Sequence, residues 1–164
     1  MVTTLPVPIE FSLPEGWRSV PPDEAGADQA AFVALHPPAS RGFTPNITIS
    51  GEVREDDLPL AGIADDAVDK LRASGARDVE LGRRNEVGSE ASPGLTQAVK
   101  LTADIEGRTQ EIGQFQVFIV MRDTHEARRR AVLHVVLTAL PDQFDDVFGD
   151  FQQFVSTIRP EEAR

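Results

Sequence analysis

The chain has no cysteine, no tyrosine, a single tryptophan and only two methionines. Without cysteine it can hold no disulfide scaffold, no thiolate zinc or iron–sulfur centre and no thiol nucleophile. One Trp and no Tyr leave little material for an aromatic-rich interface. Basic residues are also scarce: 16 of them against 27 acidic ones give a net charge of −11, and only two of the 16 are lysines, a usage that suits a GC-rich genome. That charge repels phosphate backbones and anionic lipid, so neither nucleic acid nor a membrane is expected as a partner. No apolar run reaches the length of a membrane span, and Met1 to Glu10 has neither the basic region nor the apolar core of a secretory signal. A cytoplasmic protein is expected.

What is present is ordinary globular material. Across 164 residues, 40% are hydrophobic and 26% charged, which argues for one packed domain, 1–164, with an ordered core over about residues 7–159. Ile9, Phe11 and Leu13 alternate with polar residues as in a half-buried strand, and Glu15-Gly16-Trp17 turns the chain into a short second strand that Pro21-Pro22 ends. A polar loop over 23–29, a short apolar run Ala31 to Leu35 and a strand Phe43 to Val53 follow. Leu60, Ile63, Ala64, Ala67, Val68 and Leu71 then fall on one helical face, with Asp56, Asp57 and Pro59 as start signals and Gly75 as the stop. Next come strands over Asp78 to Glu86 and Leu95 to Ile105, separated by a loop from Gly88 to Gly94. Glu106-Gly107 signals a hairpin into Thr109 to Arg122, which is apolar on both faces from Phe115 to Met121. A charged linker, Asp123 to Arg130, precedes another two-faced apolar strand, Ala131 to Leu140. The last element places Phe144, Val147, Phe148, Phe151, Phe154, Val155 and Ile158 at helical spacing and stops near Arg159-Pro160. This order describes an α+β domain built on a mainly antiparallel sheet whose faces the helices cover.

Three stretches carry a resemblance: Phe11-Ser12-Leu13-Pro14-Glu15-Gly16-Trp17, Gly42-Phe43-Thr44-Pro45-Asn46-Ile47, and Val136-Leu137-Thr138 with the phenylalanines of the final helix. With the mid-chain helix they make the chain resemble the fold superfamily of the photosystem II subunit PsbP and the Ran-binding protein Mog, and within it the actinobacterial LpqN-type branch. The resemblance implies an α/β/α sandwich used as a binding module or accessory subunit, or, in one bacterial branch, as a chaperone for secreted toxins.

Signs of catalysis are weak. His125-Glu126 lacks the second histidine that a metalloprotease helix needs, and His36, His125 and His134 do not show zinc-ligand spacing. His134 lies within a strand between Val132 and Val136 and is expected to pack at a sheet surface with a hydrogen-bond partner; His36 reads as a loop residue. No serine elbow, dinucleotide fingerprint or phosphate loop is present, so no cofactor or metal is expected. An enzyme would need a polar cluster around His134 or His125. Asn46-Ile47-Thr48 matches a glycosylation acceptor, without consequence in the cytoplasm.

Binding carries more. From Glu52 to Asp69, Glu52, Glu55, Asp56, Asp57, Asp65, Asp66 and Asp69 are answered locally only by Arg54, and Arg128-Arg129-Arg130 form a basic spot at a hairpin tip. The leading expectation is a non-catalytic binding or accessory module for a protein partner, a basic one if the acidic helix edge is used; a homodimer is compatible with the sequence. The candidate partner-binding residues are Trp17, Phe43, Asn46, Asp56, Asp57, Asp65, Asp66, Arg128, Arg129 and Arg130. The alternative is a small-molecule or lipid-binding protein with an apolar cavity between sheet and helix, lined by residues such as Phe115, Val117, Phe148 and Phe151.

Overall fold

The structure, a computed structural model, describes residues 9–24, 30–39, 42–56, 58–89, 92–122 and 130–160. Its elements are β1 (Ile9–Glu10), β2 (Arg18–Val20), β3 (Phe32–Leu35), β4 (Asn46–Arg54), α1 (Leu60–Ala73), β5 (Arg77–Gly88), β6 (Pro93–Ile105), β7 (Arg108–Arg122), β8 (Arg130–Ala139), α2 (Pro141–Thr157) and β9 (Arg159–Pro160). Seven strands form one sheet in the order β2-β3-β4-β8-β7-β6-β5, and every neighbouring pair is antiparallel. A separate antiparallel pair, β1 with β9, ties the two ends of the described chain together. The β6–β7 hairpin turns at Glu106-Gly107, both with positive φ (49° and 80°), the backbone that a two-residue loop needs to match the strand twist.

Strand alternation sorts the core into two layers. Ala98, Phe115, Leu137, Ile47 and Ala34 stand opposite one another across β6, β7, β8, β4 and β3, and the adjacent row is Gln97, Gln116, Val136, Thr48 and Val33. The two rows point to opposite faces. Val147, Phe151 and Phe154 of α2 pack on the first face with Ile47, Val117 and Leu137. Ile63 and Ala64 of α1 pack on the second with Leu95, Phe118, Val120 and Val132. The result is an α/β/α sandwich.

Local details depart from the expected boundaries for physical reasons. The first strand stops at Glu10, because its neighbour is the two-residue β9; Phe11 instead turns inward, its ring 4.8 Å from Phe32 and 5.2 Å from Phe154. The loop expected from Gly88 to Gly94 is shorter, since pairing continues to Gly88 opposite Pro93. No acid occupies the first turn of α1: its N-cap is Pro59, and Asp56 Oδ1 accepts the Leu58 N–H at 3.4 Å, ahead of the helix. Gly75, with φ +100°, follows the C-cap Ser74 as the stop signal requires. At the start of α2, Gln143 Oε1 accepts the Leu140 N–H at 2.8 Å.

Only two of the four α2 phenylalanines are sealed. Phe151 and Phe154 are buried, each stabilising the fold by about 1.5–3 kcal/mol, whereas Phe144 and Phe148 are half-buried. That difference creates the site described next.

Candidate functional site

Helix α2 covers β7 and β8 and leaves the β5–β6 end of the same face bare. An open groove of about 610 Å³ lies along this boundary, walled by Phe144 and Phe148 from α2 and by Leu81, Ala98 and Phe115 from the sheet. Glycine sets its depth. A Cβ on Gly113 would lie 2.7 Å from the Phe144 ring, so glycine alone admits the ring at its observed distance. The lining is mainly apolar, with Glu80, Lys100 and Glu111 among its polar members, and Lys100 pairs with Glu111 at 3.4 Å. A groove of this size, apolar with a few polar groups, suits a binding surface. The expected lining is half right: Phe115 and Phe148 are there, but Val117 and Phe151 are only 4% and 1% exposed and lie sealed under the helix. The feature is a surface groove rather than an enclosed cavity.

A second groove, about 720 Å³, opens at the start of α1, between Leu60 and the ends of β5, β6 and β8. Glu86, Val87, Leu95, Val120 and Arg130 are among its lining residues. Both grooves therefore flank β5, which ends the sheet and carries two of the exposed large hydrophobic side chains, Leu81 and Val87.

The acidic stretch is better neutralised than local sequence suggests. Arg54 binds Glu52 at 3.0 Å and Asp56 at 2.6 Å, and its bond to Asp56 holds that carboxyl's pKa down at about 2. The sheet order adds arginines from distant sequence: Arg130 of β8 reaches Asp56 at 3.5 Å, and Arg84 of β5 reaches Asp65 at 2.8 Å. Arg72 pairs with Asp69 at 3.5 Å. Arg130 is thus no solvated hairpin tip; its guanidinium donates to the Leu58 carbonyl and is 15% exposed. Asp66 faces solvent. Asp57, Arg128, Arg129 and His125 lie outside the described residues.

The remaining candidates are structural in their contacts. Trp17 is 8% exposed, its Nε1–H donates to Asp150 at 3.0 Å, and its ring stacks at a tilt on His36, so the indole is withdrawn from the surface a partner could reach. Phe43 is half-buried and its carbonyl accepts from Gln143 Nε2 at 3.1 Å; Asn46 Nδ2 donates to the Thr44 carbonyl at 3.2 Å, shaping the entry to β4. His134 packs edge-on to Phe118, but its buried Nε2 has no hydrogen-bond partner among the described residues, contrary to expectation. Glu52 is the nearest acid, at 3.7 Å, and burial pushes the His134 pKa down. Sequence reasoning did not single out β5 as an open edge of the sheet; its signal was the pair Leu81 and Val87 in a strand whose one other large apolar side chain is Val79.

No helix among the described residues is long and apolar enough to cross a membrane, and no group of His, Asp or Glu among them is arranged to hold a metal ion. The chain matches no protein-family model and no curated protein. Solved structures similar to it over nearly its whole length include the following three. LpqN of Mycobacterium tuberculosis, involved in cell envelope biogenesis, superposes with a TM-score of 0.63 at 16% identity, covering 94% of this chain and 86% of that one. The cyanobacterial PsbP of Synechocystis gives 0.58 at 17% identity, with 93% and 86% covered. The Ran-binding protein Mog1p of Saccharomyces cerevisiae gives 0.57 at 14% identity, with 93% and 89% covered. At these identities the likeness is one of fold, and the fold is PsbP/Mog-like.

Proposed function

We propose that this chain is a non-catalytic binding module that recognises a protein partner through the apolar groove beside α2. The observation that carries the reading is the half-burial of Phe144 and Phe148: two large rings on the sheet-facing side of α2 stand partly open beside a bare stretch of sheet. Mog1p, which shares the fold, is a Ran-binding protein, and this supports a protein partner over other classes. The net charge of −11 favours a partner with basic groups. An accessory or chaperone-like role in the cytoplasm fits these features, and cell fractionation tests the location.

The experiment is affinity purification from a native extract with the wild-type chain and with Phe148→Asp, whose side chain points into the groove region and whose fold is checked by circular dichroism. A stoichiometric protein retained by the first and lost by the second supports the reading. Recovery of the wild-type chain alone under several conditions counts against it.

The apolar lining also favours a second reading, a small apolar or lipid-like ligand held against Phe115 and Phe148. Native mass spectrometry separates the two, because this reading requires a co-purified mass that the Phe148→Asp variant lacks.

A further inference from the structure

The two edges of the main sheet are unlike. β2 is three residues long and is followed at once by Pro21-Pro22, which has no N–H to offer, so that edge is closed to further pairing. β5 runs for twelve residues without a proline. Its register with β6 is irregular between Arg77 and Glu80 and between Leu81 and Arg84, but from Arg84 to Gly88 it pairs without a break against Gln97 to Pro93. Along this regular stretch alternate residues direct their N–H and C=O groups outward, where no strand of the sheet receives them.

The side chains on this edge are of a definite kind. Arg77 is engaged by Asp104 at 2.6 Å and Arg84 by Asp65 at 2.8 Å. Among the described residues Asp78, Glu80 and Glu86 have no ion-pair partner, and Arg83 is the one base of the strand in the same condition, so the uncompensated charge along the edge is acidic. Glu80 stands at the α2-side groove and Glu86 at the α1-side groove. Beside Glu86, Val87 is 46% exposed.

We propose that Arg84–Gly88 takes an added strand from a protein partner, and that this segment alternates apolar with basic side chains. Backbone bonds to the open edge supply affinity in this mode, and the side chains on each face supply selectivity. The apolar residues pack on Val87, and the basic ones answer Glu86 on the opposite face. The proposal rests on the protein-binding reading above and specifies how the partner is held.

The test is an NMR titration of the intact chain with three synthetic decapeptides: alternating valine and lysine, alternating valine and glutamate, and the valine–lysine peptide N-methylated at alternate residues. The valine–lysine peptide is expected to shift the amides of Arg84 to Gly88 and to slow the exchange of the outward ones at least tenfold. The glutamate and N-methylated peptides are expected to bind at least tenfold more weakly, and Glu86→Lys should narrow the lysine–glutamate difference. Equal binding of the N-methylated peptide would overturn strand addition, equal binding of the glutamate peptide would overturn the charge assignment, and no binding at millimolar concentration, or shifts confined to Phe144 and Phe148, would overturn both. A partner protein lost by Phe148→Asp yet retained by Glu86→Lys and Val87→Lys would sink the strand proposal while leaving the module reading intact.

Discussion

The indole N–H of Trp17 donates to the Asp150 carboxylate at 3.0 Å, joining the turn before β2 to the middle of α2 across 133 residues of sequence. The bond is made by a ring that is 8% exposed, so little water can take the acceptor's place. Removing the acceptor with Asp150→Ala should destabilise the fold by about 1–3 kcal/mol, the cost of stranding a buried donor. Asp150→Asn keeps an oxygen in place and should cost less. Urea unfolding followed by the fluorescence of the single tryptophan measures both, and equal stability of the alanine variant and the wild type would contradict the assignment.

His134 makes stability depend on pH in a defined direction. Burial disfavours its charged form, while Glu52 on the neighbouring strand opposes that effect; Lys70 of α1 and Arg54 of β4 add to the lowering. With the folded value below the ordinary 6.5, the unfolded chain binds the proton first. Stability from this residue is therefore full above 6.5 and is lost as pH falls from there through the folded value. Between pH 7 and 5, His134→Gln should lose less stability than the wild type, and Glu52→Gln should depress the histidine titration further. Imidazole resonances give the second result directly, and a raised value in Glu52→Gln would refute the stated balance.

Much of this architecture was legible along the chain, and the reasons for the exceptions are specific. Helices α1 and α2, the hairpin at Glu106-Gly107 and the two-faced strands β7 and β8 follow from local periodicity, which reports burial wherever one face is dry. Strand order is a tertiary property. Hence the acidic stretch looked unanswered from sequence, although Arg84 and Arg130 lie against it once β5 and β8 take their places. The groove was legible only in part for a related reason: helical spacing puts Phe144, Phe148 and Phe151 on one stripe, but only the length of sheet beneath α2 decides which of them is sealed. The edge role of β5 was invisible, since its many charges read as a wet strand and not as an unpaired one.

Two glycines near α2 should respond oppositely to alanine. At Gly113 a Cβ would sit 2.7 Å from the Phe144 ring, so the ring must move, and Gly113→Ala should cost about 1–3 kcal/mol and alter the groove. At Gly149, inside α2, a Cβ meets nothing within 4 Å. There alanine only restricts the unfolded chain, and Gly149→Ala should stabilise by roughly 0.5–1 kcal/mol. Thermal melts of the two variants give the signs, and a stabilising Gly113→Ala would show that the ring is free to yield.

A polar chain runs beneath α1 and holds the edge strand to the helix. Gln97 is fully buried; its Nε2 donates to the Ala64 carbonyl at 3.1 Å and to Gln116 Oε1 at 2.7 Å, and its Oε1 accepts from Arg84 Nε at 2.9 Å and Nη2 at 2.7 Å. Arg84 Nη2 also reaches Asp65 at 2.8 Å, and Gln116 Nε2 continues the chain to Gln114 at 2.9 Å. Such a network stabilises only while every member is matched. Gln97→Leu removes the shared centre and leaves part of a half-buried guanidinium and the Gln116 oxygen unpaired, an expected cost of about 1–3 kcal/mol. Arg84→Met in that background removes the stranded charge. The double variant should therefore be less unstable than the two single costs added together, because the same interaction is lost only once. Denaturant unfolding of the four proteins gives the coupling, and strict additivity would show that Arg84 holds β5 through Asp65 alone.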